Sequence, residues 1–358
     1  MTSTINKNWD ALADGDHPYH NRGYVGGLPS PTTQIVLYQN DIPRGVAIFH
    51  QSITNLDLFM PGISLTAIGI AKVRKYYPNF LKLSILECGP ALVSGKSLLL
   101  KKDLLAHEET YLTAKAILAS FALRQKAKSV LIVFRDFTED VPIFSCYGFQ
   151  KIPLLDEAVL EIKWDTFKQY TDALKSHYRS MVKKDIKRLQ GIRVEHTKSF
   201  GSLTPEIFAL WLQTNRRASE YNRDENIDES YFKRLADLEE ISANLFFQED
   251  KLVAFNVMLA GESTLYPLWV GVDYSLRDAH SLLFNVYYKT IEVAIAGKKQ
   301  KVYFGDTTYD LKMRIGCKLV PQYGYVYSTI PFVAKILAKF SKFLIPEQKI
   351  KERNVWKV

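Results

Sequence analysis

The stretch STLYPLWVGVD-YSLRDAHS-LLFNVYYKTIEVAIAGKKQ-KVYFGDT-TYDLKMRIGCKL, Ser263 to Leu319, decides how the chain is read. It predicts a strand, a tight polar loop, a long amphipathic helix, a short buried strand and a short helix ended by Gly316. A strand that passes through a polar loop into a helix N-terminus is a common holder of a phosphate or a carbonyl oxygen.

The same order recurs upstream. A strand over about 81–87 leads into the loop GPALVSGKS, a helix over 109–127 and the apolar run KSVLIVFRD. DVPIFSCYGF then reads as a short helix stopped by Gly148, and QKIPLLDEAVLEIKW returns as one or two strands. The later set is LYPLWVGVD, a helix over 280–296, VYFGD, a short helix with Gly316, and KLVPQYGYVYS as a strand. The reading is two copies of one α/β unit with mixed sheets: an N-terminal domain 1–165, a C-terminal domain 166–330 and a tail 331–358. Ahead of the first copy, TQIVLYQND-IPRGVAIFHQS predicts a hairpin around a charged, Pro-containing turn. Between the copies, 166–191 carries an apolar stripe of Tyr178, Val182, Ile186 and Leu189. ANLFFQEDKLVAFNVMLAGESTLYPLWVGVD reads as a three-stranded meander with turns at QEDK and GES.

At 358 residues, 47% hydrophobic and 24% charged, the chain has the composition of a two-domain globular protein. Its three cysteines form no CxxC pair, and no histidines stand beside them at ligand spacing, so buried thiols and no metal site are expected. The polar N-terminus lacks a signal-peptide pattern, and no apolar run reaches the roughly 18 residues of a membrane span. A cytoplasmic protein is expected. Net charge is +9, concentrated at 175–198 and in the tail, where Phe332–Val358 hold seven Lys or Arg against two Glu. In the tail, Phe332, Ile336, Phe340, Phe343 and Leu344 share one helical face, and Lys335, Lys339 and Lys342 the other. That pattern fits a docked helix, or an interfacial helix over 332–345 on an anionic membrane surface, which would make the protein peripheral at the inner membrane face.

Three features resemble the tandem GNAT-like acyltransferases, closest to the peptidoglycan biosynthesis/recognition family and the related Fem-type aminoacyltransferases. They are the basic segment LKSHYRSMVKKDIKRLQ, the run FGD followed by LKMRIG (with Leu311, Lys312, Ile315 and Gly316 on the family's "FK, two residues, FG" pattern), and KYYPNFLKLSILECGPALVSGKSLLL. The resemblance spans roughly 70–330. It implies two tandem GNAT-like domains and acyl transfer to an amine. Neither loop carries the family's Q/R-x-x-G-x-G/A cradle for a pyrophosphate, so ordinary acetyl-CoA binding does not follow.

In GNAT-like sites the carbonyl oxygen is polarised where the fourth and fifth strands splay, here beside Leu268–Val272 and Val302–Asp306. Asp306, ending a strand, is read as a base or amine anchor, or as a cap of the next helix. Lys312 matches the family lysine and would hold a phosphate or carboxylate. Tyr309 is a candidate proton donor to the leaving group, and His280 a candidate catalyst or an ordinary first-turn residue. Arg277 and Ser281, in the loop, are candidates for donor binding. Arg179 and Lys183 stand one turn apart with Lys187, as a solvated face or as contacts to a phosphate-bearing donor or tRNA. The expected reaction is direct attack of an amine on a thioester, acyl-CoA or acyl carrier protein, used as co-substrate with no tightly bound cofactor. The acceptor is a small-molecule or lipid amine. A tRNA-dependent aminoacyl transfer of Fem type and a non-catalytic recognition protein are the alternatives.

Overall fold

The structure, a computed structural model, describes residues 8–13, 15–29, 32–55, 72–77, 82–217, 227–330, 333–335, 338–339 and 353–357. The chain divides into two compact units. Unit 1 comprises Met1–Asp14, His20–Asp156 and Pro321–Gln348; unit 2 comprises Gly15–Tyr19, Glu157–Val320 and Lys349–Val358. Each is built on a 7-stranded mixed sheet.

Unit 1 opens with α1 (Arg22–Gly27) and a hairpin of β1 (Thr32–Gln39) and β2 (Ile42–Asn55). The hairpin's turn is Asn40–Asp41, both at positive φ, and not the Pro-containing stretch that the sequence suggested. A two-residue hairpin needs left-handed backbone, which Asn and Asp tolerate and Pro cannot adopt. Pro43 instead lies inside β2, at the register irregularity opposite Tyr38. β2 pairs antiparallel with β3 (Lys82–Cys88) and, at its other end, with the short β4 (Leu98–Leu100). The helix α2 (Ala106–Ala127) crosses over to β5 (Leu131–Phe137), parallel to β3. Leu112, Ala116 and Ile117 of α2 pack on Leu86, Cys88, Ile132 and Phe134. After α3 (Ile143–Cys146) comes β6 (Gln150–Pro153).

Unit 2 takes up β7 (Glu157–Glu161), α4 (Phe167–Ala173), α5 (Ser176–Lys187), β8 (Ile192–Thr197), α6 (Thr204–Arg217) and α7 (Glu229–Ala236). β9 (Ile241–Gln248), β10 (Lys251–Ala260) and β11 (Thr264–Val272) form the expected antiparallel meander. The helix α8 (Leu282–Ala296) crosses to β12 (Lys301–Tyr303), parallel to β11, and α9 (Tyr309–Arg314) precedes β13 (Lys318–Val320). The last strand, β14 (Tyr323–Ser328), belongs to the sheet of unit 1.

The two sheets repeat one order. Unit 1 reads β1-β2-β3-β5-β14-β6, with β4 on β2, and unit 2 reads β8-β9-β10-β11-β12-β7-β13, in which the run from β9 to β13 matches the path of unit 1 and β8 is an added edge strand. The fold is therefore a tandem GNAT-like α/β fold, with mixed sheets built from a duplicated unit. In each copy the strand before the last comes from the other half of the chain. QKIPLLDEAVLEIKW supplies β6 to one sheet and β7 to the other. KLVPQYGYVYS, expected as one strand, is two strands parted at Pro321–Gln322.

The segment 166–191 is two helices, because Leu174 is extended and interrupts the helical path. In α5 the inward residues include Val182 and Asp185, whereas Ile186 is 40% exposed. The inward stripe thus takes an i, i+3 step to an acid where an i, i+4 step to isoleucine was expected. The C-terminal residues close over this break: Lys175 N–H donates to Val355 O (2.9 Å), and Lys357 N–H to Ala173 O (2.9 Å). The Trp356 ring lies where a side chain on Gly316 would stand, and Gly316 itself has φ 96°. The amphipathic helix expected over 332–345 falls largely outside the described residues. Among the described residues, no helix is long and apolar enough to cross a membrane.

On the face of the first sheet opposite α2, Glu87 sits beside His50 (3.5 Å) and Arg135 (3.6 Å) and accepts from Ser52 Oγ (2.6 Å). Burial alone would raise its pKa. The His50 hydrogen bond and charge, with Arg135 and Ser52, outweigh burial and bring it down to about 2 from 4.5. A depressed carboxylate contributes stability that is present above the unfolded value and is lost as pH falls through the folded one. Between pH 4.5 and 2 the wild type should lose about 3 kcal/mol more than Glu87→Gln, read by urea unfolding across that range.

Candidate functional site

β11 and β12 pair over only Thr264↔Lys301 and Leu265↔Val302. Beyond that point β11 runs on to Val272 with no partner on this side among the described residues, and Pro267–Val270 are half-buried. On its other edge β11 carries a bulge against β10, with Leu268 as the extra residue between Pro267 and Trp269. The two parallel strands therefore part early and leave backbone groups at the opening. The equivalent place in unit 1 is closed. β3 and β5 stay paired to Cys88↔Phe134. Ser97 then bridges them, its hydroxyl donating to Cys88 O (2.6 Å) and accepting from Arg135 N–H (2.7 Å). The Arg135 side chain fills the loop behind, donating to the carbonyls of Pro90 and Val93.

At the end of β12 the chain turns at Gly305 (φ 83°), whose N–H donates to Glu157 Oε1 (2.7 Å). A side chain there would approach Lys312 Nζ to 3.7 Å. Lys312 is 3% exposed and Glu157 4%. Burial lowers the Lys312 pKa, while the carboxylates of Glu157 and Asp306 pull it back up. Asp306 is half-buried, and Tyr309, at the first turn of α9, is buried. Cys317, also buried in this interior, has its thiol pKa pushed well up by burial. Tyr287 Oη lies 3.4 Å from Thr308 Oγ1, and burial raises its pKa to about 12. Lys312 and Asp306 are thus brought together, with Glu157 as the member that the sequence reading missed, while Tyr309 is buried in the core one helical turn before Lys312. No local signal marks Glu157, because it comes from the other half of the chain.

A second group lines a pocket of about 360 Å³ formed by α5, the loop before α8, and α9. Its polar lining is Asp185, Arg188, Arg277, Asp278, Ser281 and Arg314; Leu283, Phe284 and Leu311 make the apolar part. Arg277 and Ser281 were expected here, and Asp185, Arg188 and Arg314 were not. Asp185 is buried, pairs with Arg314 and accepts from Tyr288 Oη (3.1 Å). The Arg314 guanidinium lies over the Phe284 ring at 3.7 Å, and its Nε is buried with no partner among the described residues. Arg188 donates to Ser281 Oγ (3.1 Å). Arg277 grips Asp278 with two hydrogen bonds (2.8 and 2.9 Å), which hold that carboxyl below its ordinary pKa.

The loop is organised by its own turns. Ser281 has φ 47°, and Asn285 Nδ2 donates to the carbonyls of Asp185, His280 and Ser281. His280 Nδ1–H donates to Arg188 O (2.8 Å), so its ring ties the loop to the end of α5. Arg179 lies toward Asp172 (3.8 Å), and Lys183 faces solvent; neither lines the pocket. The short helix α9 separates the two groups, with Leu311 and Arg314 on the pocket and Lys312 in the interior.

Residues 67–353 match the FemAB-like family, described as peptidoglycan biosynthesis/recognition, and the chain belongs to that family. Among solved structures, FemX shares 11% identity at a TM-score of 0.57, covering 91% of this chain and 96% of its own. The L-PGS of Bacillus licheniformis shares 12% at 0.55, covering 96% and 97%. The putative 8-amino-7-oxononanoate synthase 2 of Mycobacterium tuberculosis is 25% identical over 304 residues, which is 79% of this chain. The chain spans 38% of the length of that relative.

Two outcomes test the charge arrangement. Asp185→Ala leaves Arg314 without its buried partner, and the expected loss is about 3–5 kcal/mol in urea unfolding. For Lys312, a folded pKa below the ordinary 10.5 means that the folded state binds the proton less tightly than the unfolded state. The resulting penalty is complete at low pH and is relieved as pH rises from the folded value toward the unfolded one. The stability of wild type relative to Lys312→Met should therefore climb with pH in that alkaline range; a flat difference would contradict the buried placement.

Proposed function

We propose that the protein is an N-acyltransferase that moves an acyl group from a thioester to an amine by direct attack. The observation that carries this reading is the open parting of β11 and β12 beside the Lys312 cluster, in a chain whose other copy has the same place filled by Ser97 and Arg135. The neutral amine attacks the thioester carbonyl carbon, the C–N bond forms, the C–S bond breaks, and the amine's proton passes to the departing thiolate. Backbone N–H groups at the opened edge of β11 polarise the carbonyl oxygen. Asp306 anchors the amine and takes its proton first, and that proton reaches the thiolate through Tyr309, which gives up its own and is reprotonated from Asp306. Lys312 supplies positive charge near the developing oxyanion, held in place by Glu157. Tyr309 is the candidate proton donor to the thiolate. Arg277 and Ser281 contact the donor from the pocket. The acceptor is a small-molecule or lipid amine, and the basic tail supports a place at the cytoplasmic face of an anionic membrane.

A tRNA-dependent aminoacyl transfer is the second reading, supported by the FemAB-like membership and the cationic α5. Mass spectrometry of reactions with acyl-CoA, acyl-carrier-protein and charged-tRNA donors and mixed amines tests the two readings. Amide product should form with wild type and fall by about 10²-fold or more in Lys312→Ala. Product only from charged tRNA would replace the thioester reading with the second.

A further inference from the structure

Among the described residues of unit 2, Ile186 is the one large hydrophobic side chain that is exposed. It sits on α5 beside an exposed cationic face of Lys183, Lys184, Lys187 and, just past the helix, Arg188. Asp185, the acid within that run, is turned inward to Arg314, and Asp172 lies toward Arg179. Among the described residues, no carboxylate pairs with Lys183, Lys184 or Lys187, while Arg188 turns to Ser281 and the charge of Asp278. Cations stacked at i and i+4 repel one another, and an anionic partner relieves that repulsion.

The same helix end forms one wall of the pocket. Arg188 points its guanidinium to Ser281, and Arg314 keeps a buried Nε without a partner among the described residues. Three guanidinium groups face two carboxylates there, next to Leu283, Phe284 and Leu311. That lining suits a phosphate ester with a methyl-bearing carbon beside it, the arginines taking the phosphate and Leu283, Phe284 and Leu311 the methyl groups.

We propose that the outer face of α5 docks an acidic acyl carrier protein, which delivers its acyl thioester on a phosphopantetheine arm whose phosphate is held in the Arg188–Arg277–Arg314 pocket. The proposal rests on the thioester reading above and names its donor. An RNA would use the same cations, but single-stranded or end recognition also uses exposed aromatic rings for base stacking. The exposed Tyr, Trp and Phe rings among those described, Tyr76, Tyr77 and Tyr111, all belong to unit 1, and the exposed His177 of α5 has its ring set edge-on against Tyr178. The face offers instead one exposed isoleucine ringed by lysines, the pattern of a small protein interface with a polar rim. α5 is 12 residues long, about 18 Å, which matches one helix of a small partner.

The test compares the acyl carrier protein and S-acyl-pantetheine as donors of the same acyl group to the same amine. The preference for the carrier, taken as the ratio of the two kcat/KM values, should fall by about tenfold or more in Lys184→Glu/Lys187→Glu, mainly through KM for the carrier. Ile186→Ser should lower it by a smaller factor. An unchanged ratio in both variants would overturn the proposal. Should the charge-reversed protein fail to fold by circular dichroism, Lys184→Gln/Lys187→Gln replaces it with the same expectation. If neither donor reacts, the thioester reading fails by itself, and docking is read by titrating isotope-labelled carrier protein with the enzyme. Shift changes with wild type that vanish in the double variant then support the docking face; equal responses overturn it. Loss of a tRNA acceptor hairpin's fluorescence anisotropy in the double variant, with the carrier titration unchanged, assigns the face to RNA and also overturns it.

Discussion

A buried lysine keeps its charge most readily where negative charge accompanies it, and this constraint organises the second unit. Lys312 is almost fully buried, and its companions are Asp306 and Glu157. Glu157 reaches that position because β7 pairs with β12, through Val302↔Leu160 and Tyr303↔Val159. The strand order, the turn at Gly305 and the seat of α9 all meet at this one carboxylate, which also accepts the Gly305 N–H. An isolated ammonium in such a place would cost several kcal/mol. The exchange of strands between the two halves is therefore what makes the lysine tenable.

The duplication then sets a closed strand pair in one copy against an open one in the other. Both copies run a meander into a parallel pair linked by a crossover helix. In the first, a serine hydroxyl joins the two parallel strands where they would separate, and an arginine closes the loop behind it. In the second, the ladder stops after two pairs, and a bulge at Leu268 lies beside the opening. Satisfied backbone closes the first copy at this place. The unpaired strand edge of the second leaves polar groups available for a reacting carbonyl.

Much of the fold was legible along the chain. The meander, both crossover helices, the short helices ending before Gly148 and Gly316, and the repeat itself followed from periodicity and turn chemistry, because those signals are local. The readings that changed were those that tertiary pairing decides. In α5 the sequence offered Ile186 as the continuation of the apolar stripe, since isoleucine is apolar and aspartate is not. The structure turns Asp185 inward because Arg314 and Tyr288, more than a hundred residues away, complete its hydrogen bonds. The pocket was half visible for the same reason. Arg277 and Ser281 stand in the loop that a strand–loop–helix reading highlights, but Arg188 and Arg314 come from helices on either side of it.

By itself the sequence determined the duplicated α/β units, the FemAB-like resemblance, and the gathering of Asp306, Tyr309 and Lys312 within one short run. Backbone periodicity and residue order carry that information without reference to distant contacts. Only the tertiary structure decided that β7 and β14 change sheets, that Glu157 joins Lys312, and that one copy is closed while the other is open. Those outcomes depend on which strand edges find hydrogen-bond partners and which buried charges find counter-charges. Both are settled between residues far apart in the chain.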